Sequence, residues 1–232
     1  MSIFGLTGSL SSGKSTALNF FKKKGAVIYD ADREVHKYYK NKKSSIYKKI
    51  ALVFPKAFKK GVINRKILGE IVFRDTKKLR TLETIVHKQV IKDLKLWVSK
   101  AKKTKRIYIA EVQLLFEKKL ERLFDATILV YTPKNILIKR IENNLGFSKA
   151  KALARLKLYG PVKEKIKRAD FVINNNSNIK ALKNKTNALW NKINPSTDFS
   201  INARNARSRV ILSSALHTLS PKKRRSFGAA NV

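Results

Sequence analysis

Apolar residues follow two rhythms along this chain. Short unbroken runs stand at Ile3-Phe4-Gly5-Leu6-Thr7, Ala26-Val27-Ile28-Tyr29, Ile107-Tyr108-Ile109-Ala110, Ala126-Thr127-Ile128-Leu129-Val130-Tyr131 and Phe171-Val172-Ile173. Runs this short, rich in β-branched and aromatic residues, predict strands buried on both faces. Between them apolar positions recur at helical spacing. A helix is predicted over Thr16–Lys23, and helical patterns fill most of 33–103, broken at Phe54-Pro55 and Lys60-Gly61. From Thr76 to about Lys100, Leu79, Leu82, Val86, Val90, Leu94 and Trp97 form one apolar stripe. Pro133 opens a helix to about Glu142, a Lys- and Arg-rich helical segment covers 148–168, and a closing helix runs from about Asn178 to Trp190. Strands alternating with helices predict an α/β fold with a parallel sheet covered on both faces. There is no internal repeat.

Composition supports one globular domain over residues 1–194. Hydrophobic residues make up 43% of the 232, enough to bury a core. Trp97 and Trp190 read as packing residues. From Pro195 the texture changes, because the lysine-rich body gives way to five arginines and two lysines among Ser, Asn and Ala. Residues 195–232 read as a poorly ordered basic extension, in which 209–219 has the makings of a short helix. Its Pro221-Lys222-Lys223-Arg224-Arg225 run is similar to a basic targeting cluster, although a solvated charge run is the simpler reading.

Charge and missing residues narrow the chemistry. With 53 Lys+Arg against 15 Asp+Glu, the net charge is +38. The lysines cover nearly every polar face rather than one stripe, so the field attracts polyanions and gives salt-sensitive, nonspecific adhesion to nucleic acid. The chain has no cysteine, which excludes disulfides, thiolate zinc sites and cysteine nucleophiles. No apolar stretch reaches the roughly 18 residues needed to span a bilayer, and the amino terminus lacks a basic signal-peptide region. A cytoplasmic protein without membrane contact is expected, as a monomer or weak homo-oligomer.

One motif carries chemistry. Gly8-Ser9-Leu10-Ser11-Ser12-Gly13-Lys14-Ser15 matches the phosphate-binding pattern G-x-x-x-x-G-K-[ST] and lies between a predicted strand and a predicted helix. At ordinary residue frequencies such a match arises by accident in on the order of one chain in a hundred of this length. Gly8 and Gly13 let main-chain N–H groups, including those of Ser11 and Ser12, face phosphate oxygens without a Cβ in the way. The following helix turns its positive end to the same anion. Lys14 supplies a point charge to the β- and γ-phosphates, the Ser15 hydroxyl joins a magnesium shell, and Thr16 reaches the α-phosphate. ATP with Mg2+ is the expected pair.

Asp30-Ala31-Asp32 closes the second predicted strand. Ligands of open α/β sheets bind beyond the carboxyl ends of the strands. A carboxylate there accepts the proton of an attacking hydroxyl or holds magnesium through water, and a helix N-cap is an equal use for either aspartate.

These features together resemble the dephospho-CoA kinase family of P-loop kinases. The resemblance rests on Phe4-Gly5-Leu6-Thr7-Gly8 through Gly13-Lys14-Ser15-Thr16, and on Asp30-Ala31-Asp32. It continues in Gly61-Val62-Ile63-Asn64-Arg65-Lys66-Ile67-Leu68, Val72-Phe73, Leu82-Glu83-Thr84-Ile85-Val86-His87 and Leu114-Leu115-Phe116-Glu117. Arg140, Gly146, Ser148, Ala152, Arg155, Lys165, Ala169-Asp170 and Asn174 fall at the family's lid and post-lid spacings. It implies a five-stranded parallel sheet flanked by helices, an acceptor-binding helical region at about 33–103 and a lid at about 140–168. It also implies transfer of the ATP γ-phosphoryl group to the ribose 3′-hydroxyl of dephospho-CoA, the last step of coenzyme A biosynthesis.

Carried over residue by residue, the resemblance makes Asp32 the base or orienter of that hydroxyl, with a water-mediated link to magnesium. Arg140 becomes the lid cation, acting with Lys14. Arg65, His87 and Glu117 become acceptor contacts, against a surface ion pair for Arg65, a packing role for His87 and a helix cap for Glu117. Four positions depart from the family pattern. Gln113 and Lys88 stand where proline is usual, Glu111 where aspartate is frequent, and Asn144 where a lid arginine is common. Another small-molecule or nucleoside-monophosphate kinase stays open as an alternative, as does a basic nucleic-acid-binding P-loop protein.

Overall fold

The computed structural model describes residues 2–194 and 210–212. In chain order it comprises β1 (Ser2–Gly8), α1 (Lys14–Lys23), β2 (Val27–Asp30), α2 (Ala31–Lys40), α3 (Ser45–Val53), β3 (Phe58–Lys59), β4 (Val62–Ile63), α4 (Arg65–Phe73) and α5 (Thr76–Ala101). Then follow β5 (Ile107–Glu111), β6 (Ala126–Tyr131), α6 (Lys134–Leu145), α7 (Lys149–Lys157), α8 (Val162–Arg168), β7 (Phe171–Asn174), α9 (Ile179–Ile193) and β8 (Val210–Leu212).

The five predicted strands form one parallel sheet, to which β8 adds a sixth strand, in the order β2-β5-β1-β6-β7-β8. β1 is the centre, with Phe4 opposite Ile109 of β5 on one side and Ala126 of β6 on the other. The chain runs from β1 out to β2 on one side and later returns to β6 on the other. The carboxyl end of β1 therefore opens at the point where the winding reverses, which is where such sheets bind ligands.

Alternation along each strand divides the core into two layers. Phe4, Leu6, Ile109, Ile128, Val130 and Ile173 pack toward α1 and α9, against Leu18, Phe21, Leu189 and Trp190. Ile3, Ala110, Leu129 and Val172 point the other way, against Leu94 and Val98 of α5 and against Leu115 and Phe116. Both tryptophans pack as expected. Trp97 lies 5.4 Å from Tyr29 and 5.3 Å from Tyr108 between ring centroids, and Trp190 lies 6.5 Å from Phe21. A third core joins α3, α4 and α5 through Ile46, Ile50, Leu68, Val72 and Val86, and so forms a helical unit beside the sheet.

Local chemistry fixes the ends. Asp30, Ser44, Asn64, Asp75, Ser148 and Asn178 each cap the helix that follows by accepting backbone N–H bonds. Asp170 joins β6 to β7, its Oδ2 accepting from Thr127 N and Oγ1, both at 2.8 Å. Several details differ from the sequence expectations. α1 starts two residues early, at Lys14. The helical stretch after Arg33 breaks additionally at Asn41–Ser44 and at Arg74-Asp75, and its Lys60-Gly61 break is a two-residue turn joining the short hairpin of β3 and β4. The 148–168 segment is two helices, α7 and α8, divided at Tyr159-Gly160-Pro161, where Gly160 takes φ 60°. Within 195–232 only β8 is described, a strand where a helix over 209–219 was expected; the rest of that extension, with its Pro221–Arg225 cluster, lies outside the described residues.

Candidate active site

β1 runs straight into the phosphate-binding motif, and close packing shapes that turn. A Cβ on Gly8 would come within 2.5 Å of the Val130 carbonyl oxygen, and one on Gly13, at φ 93°, within 2.4 Å of Asn175 Nδ2. No side chain at either position fits. Ser11 also takes a left-handed conformation, at φ 58°. The Ser12 carbonyl is drawn inward, accepting from Asn175 Nδ2 at 2.7 Å and Thr132 Oγ1 at 3.1 Å. Asn175 is fixed in turn by its N–H bond to Tyr131 O at 2.7 Å. With that carbonyl turned away, and with no side chain capping α1, the first N–H groups of the helix are left for an anion.

A cleft of about 610 Å³ opens beyond the sheet at this point. Of the residues singled out in the sequence, Ser11, Gly13, Lys14, Ser15, Thr16, Asp32 and Arg140 line it. Gly8 and Ser12 shape the loop from behind. Lys14 is buried, and its Nζ donates to Ser9 O at 3.0 Å. Burial lowers its pKa, while the carboxylates of Glu111 and Asp32 pull the other way.

The two aspartates at the junction of β2 and α2 divide the work that the sequence left undivided. Asp30 Oδ1 accepts from Arg33 N at 3.0 Å and caps α2, whereas Asp32, in the first turn of that helix, faces the cleft. Burial and the neighbouring Asp30 raise the Asp32 pKa against the pull of Lys14 and, more weakly, of Arg65. Arg65 opens α4 within electrostatic reach of Asp32 but does not line the cleft. His87 sits half-buried on α5, its pKa lowered by burial and by Lys118, and Glu117 forms an ion pair with Lys165 Nζ at 2.5 Å. Neither lines the cleft. Arg140 Nη2 donates to Ser177 O at 3.2 Å, and Asn144, one turn further along α6, shares the wall.

Glu111 ends β5, beside the loop. Its Oε1 accepts from Ser15 Oγ at 3.3 Å, and its buried Oε2 has no hydrogen-bond partner. Burial pushes the carboxyl up to about 6, mainly against the pull of Lys14. A folded-state value above the unfolded one means that the protonated form favours the fold, so that contribution is complete below about pH 4.5 and is lost as pH rises through about 6. Glu111→Gln is therefore expected to be more thermally stable than the unsubstituted protein near pH 8, by on the order of 2 kcal/mol, and about equal to it near pH 4. Paired melting curves at the two pH values check this, and a loss of stability near pH 8 would contradict it.

The structure adds members that the sequence motif did not name as site residues. Glu111 and Gln113 stood out only as departures from a family pattern. Asn175 and Ser177 follow β7, in an Asn-rich turn whose position beyond a strand end was the available signal. Gln113 lines the cleft, and where the resemblance led one to expect proline its Nε2 donates to the Tyr159 hydroxyl. Among the described residues no group of three His, Asp or Glu stands ready to hold a metal by itself.

Comparison with known proteins shows which family the sequence and fold match. A family model for dephospho-CoA kinase matches residues 2–181. The dephospho-CoA kinase of Bartonella quintana is 38% identical over 182 residues, covering 75% of this chain and 89% of the relative. That of Aquifex aeolicus is 36% identical over 181 residues, covering 77% and 91%. Among solved structures, dephospho-CoA kinase from Campylobacter jejuni superposes with a TM-score of 0.63 at 29% identity, over 84% of this chain and 98% of its own. TT1252 from Thermus thermophilus gives 0.67 at 29% identity, over 83% and 98%.

Proposed function

The chain belongs to the dephospho-CoA kinase family, an ATP-dependent kinase of coenzyme A biosynthesis, and we propose that its cleft joins the ATP γ-phosphoryl group to the ribose 3′-hydroxyl of dephospho-CoA. The observation that carries the residue assignments is the convergence of Lys14, Ser15, Asp32, Glu111 and Arg140 on one cleft at the exit of β1. ATP phosphates lie on the N–H groups that open α1. Lys14 has three N–H donors, one held by Ser9 O, which leaves two for the β- and γ-phosphoryl oxygens. Asp32, which lines the same cleft, orients the acceptor hydroxyl and takes its proton as the oxygen bonds to phosphorus. The bond from phosphorus to the β-phosphate oxygen breaks, and ADP leaves with the electron pair.

Arg140 adds positive charge to the transferring group from the lid, which we assign to about 140–168 over an acceptor region at about 33–103. The wall also fits a magnesium ion. Ser15 Oγ and the unpartnered Glu111 Oε2 are hard oxygen donors suited to an ion that keeps several waters, and Asp32 would reach it through one of those waters. Bound there, magnesium would supply positive charge that offsets the negative charge developing on the transferring group. Arg65 stays an acceptor-side cation through its influence on Asp32. We give His87 and Glu117 no direct contact. No helix among the described residues is long and apolar enough to cross a membrane, and a cytoplasmic location is part of the same proposal.

The test is a coupled assay of ADP release with ATP and magnesium, run with and without dephospho-CoA. Release is expected only with the acceptor present, together with a product phosphorylated at the 3′ position. Equal ADP release without the acceptor, or dependence on a nucleoside monophosphate in its place, would refute the proposal.

A further inference from the structure

The lid returns to the sheet through Tyr159-Gly160-Pro161, between α7 and α8. Tyr159 N and Gly160 N bond back to Leu156 O and Lys157 O and so close α7, but Pro161 lacks an N–H, so these bonds do not set the direction in which the junction enters α8. Side chains set it. The Tyr159 ring is buried, and its hydroxyl receives the Gln113 carboxamide N–H. Gln113 is itself anchored, because its carbonyl accepts from Thr7 Oγ1 at 3.1 Å, on the strand that feeds the phosphate loop. Beside this contact Glu117 pairs with Lys165, whose ammonium stands 5.5 Å from the Tyr159 ring centroid. Arg168 bonds the Phe116 carbonyl at 3.3 Å and the Glu121 carboxylate.

Residues 113–121 thus clasp 159–168 at three places. Only the Gln113 clasp reaches the cleft, where this side chain shares the wall with Lys14, Asp32 and Arg140. The Tyr159 hydroxyl also feels the charge of Asp32, and burial pushes its pKa up to about 12, so the phenol stays protonated at working pH.

We propose that Gln113 is a positioning residue whose bond to the Tyr159 hydroxyl fixes the α7–α8 junction against the acceptor side of the cleft. The inference rests on the proposed transfer to dephospho-CoA, and it says that the acceptor, rather than ATP, feels the loss of this bond. ATP phosphates are held by the loop and by α1, which the clasp leaves untouched. The acceptor lies between Asp32 and the lid, so a junction free to swing lowers the fraction of molecules in which the lid meets it.

The test is a double-mutant cycle of Gln113→Leu, Tyr159→Phe and their combination, with both substrates titrated. Each single change removes the bond while keeping nearly the same volume. Each is expected to raise the KM for dephospho-CoA about 3- to 10-fold, the range of one neutral hydrogen bond, with the Kd for ATP unchanged within about twofold. The double variant is expected to be no worse than the weaker single. Independent multiplication of the two effects, an equal loss of ATP affinity, or an unchanged KM would each overturn the inference. Should Gln113→Leu lose the folded state by circular dichroism, Gln113→Asn, which keeps the amide and shortens its reach, replaces it in the cycle. An unsubstituted protein that fails to use dephospho-CoA would refute the functional proposal and this inference together, a result distinct from an active enzyme whose variants are uncoupled.

Discussion

Lys14→Ala is expected to lower kcat about 10²- to 10³-fold while the protein stays folded, the range found when one preorganised donor is removed from a developing charge. Lys14 is the buried cation of the phosphate loop, placed by a main chain whose Ser12 carbonyl is turned into the core. Among the described residues no other lysine lines the cleft, and the one further cation there, Arg140, reaches it from α6 and not from the loop. Stability should move little. Burial lowers the Lys14 pKa, so keeping the charge costs the fold rather than supporting it, and the contribution grows less unfavourable as pH rises and the lysine deprotonates. Loss of this cation also lets Glu111 hold its proton more firmly, since Lys14 is the main charge opposing that. Steady-state kinetics beside a melting curve check both halves. Retention of kcat within tenfold would remove Lys14 from the mechanism, and an unfolded variant would show that the lysine has a structural role instead.

Asp32→Asn is expected to cost about 10²- to 10⁴-fold in kcat with ATP affinity nearly unchanged, the range for a positioned general base. Asp30→Asn serves as its comparison, because Asp30 spends its carboxylate capping α2, and an asparagine caps almost as well. The two neighbours should therefore differ by at least about tenfold in kcat. The acid side of the rate profile gives a second measurement. Burial and Asp30 raise the Asp32 pKa, and burial pushes the Glu111 carboxyl up to about 6, so activity should fall with acid at a pH above the ordinary carboxylate range. An acid limb at the ordinary carboxylate pKa, or equal losses for the two aspartate variants, would contradict the assignment of the base.

Much of this was legible because it is local. The phosphate loop is eight contiguous residues whose spacing prescribes its turn, and each long strand announces itself by an apolar run that needs two covering layers. What escaped the sequence has a physical reason in each case. The hairpin of β3 and β4 has two residues per strand, too few for any period to show. The division of 148–168 hides in a segment that is basic throughout, where charge masks the boundary that Gly160-Pro161 makes. β8 is an apolar run of only three residues, Val210-Ile211-Leu212, too short to announce a strand by itself, and it is its parallel pairing with β7 that makes it one. In the cleft, Asn175 and Thr132 matter through one carbonyl, 163 and 120 residues away respectively. No spacing rule predicts such contacts.

The sequence by itself determined that a phosphate-binding motif opens α1, with glycines, a lysine and a hydroxyl in that order, and the proposed nucleotide site rests on it. It also determined a parallel sheet with helices on both faces. Only the tertiary structure decided how the charges are spent. Asp30 caps a helix while Asp32 faces the cleft, and Glu117 goes to Lys165 rather than to the cleft wall. Glu111 and Gln113 join the wall from the end of a different strand. A side chain's chemistry is written in its residue type, but its solvation and its partner are set by chain-distant packing, and these fix whether a charge stabilises, positions or reacts.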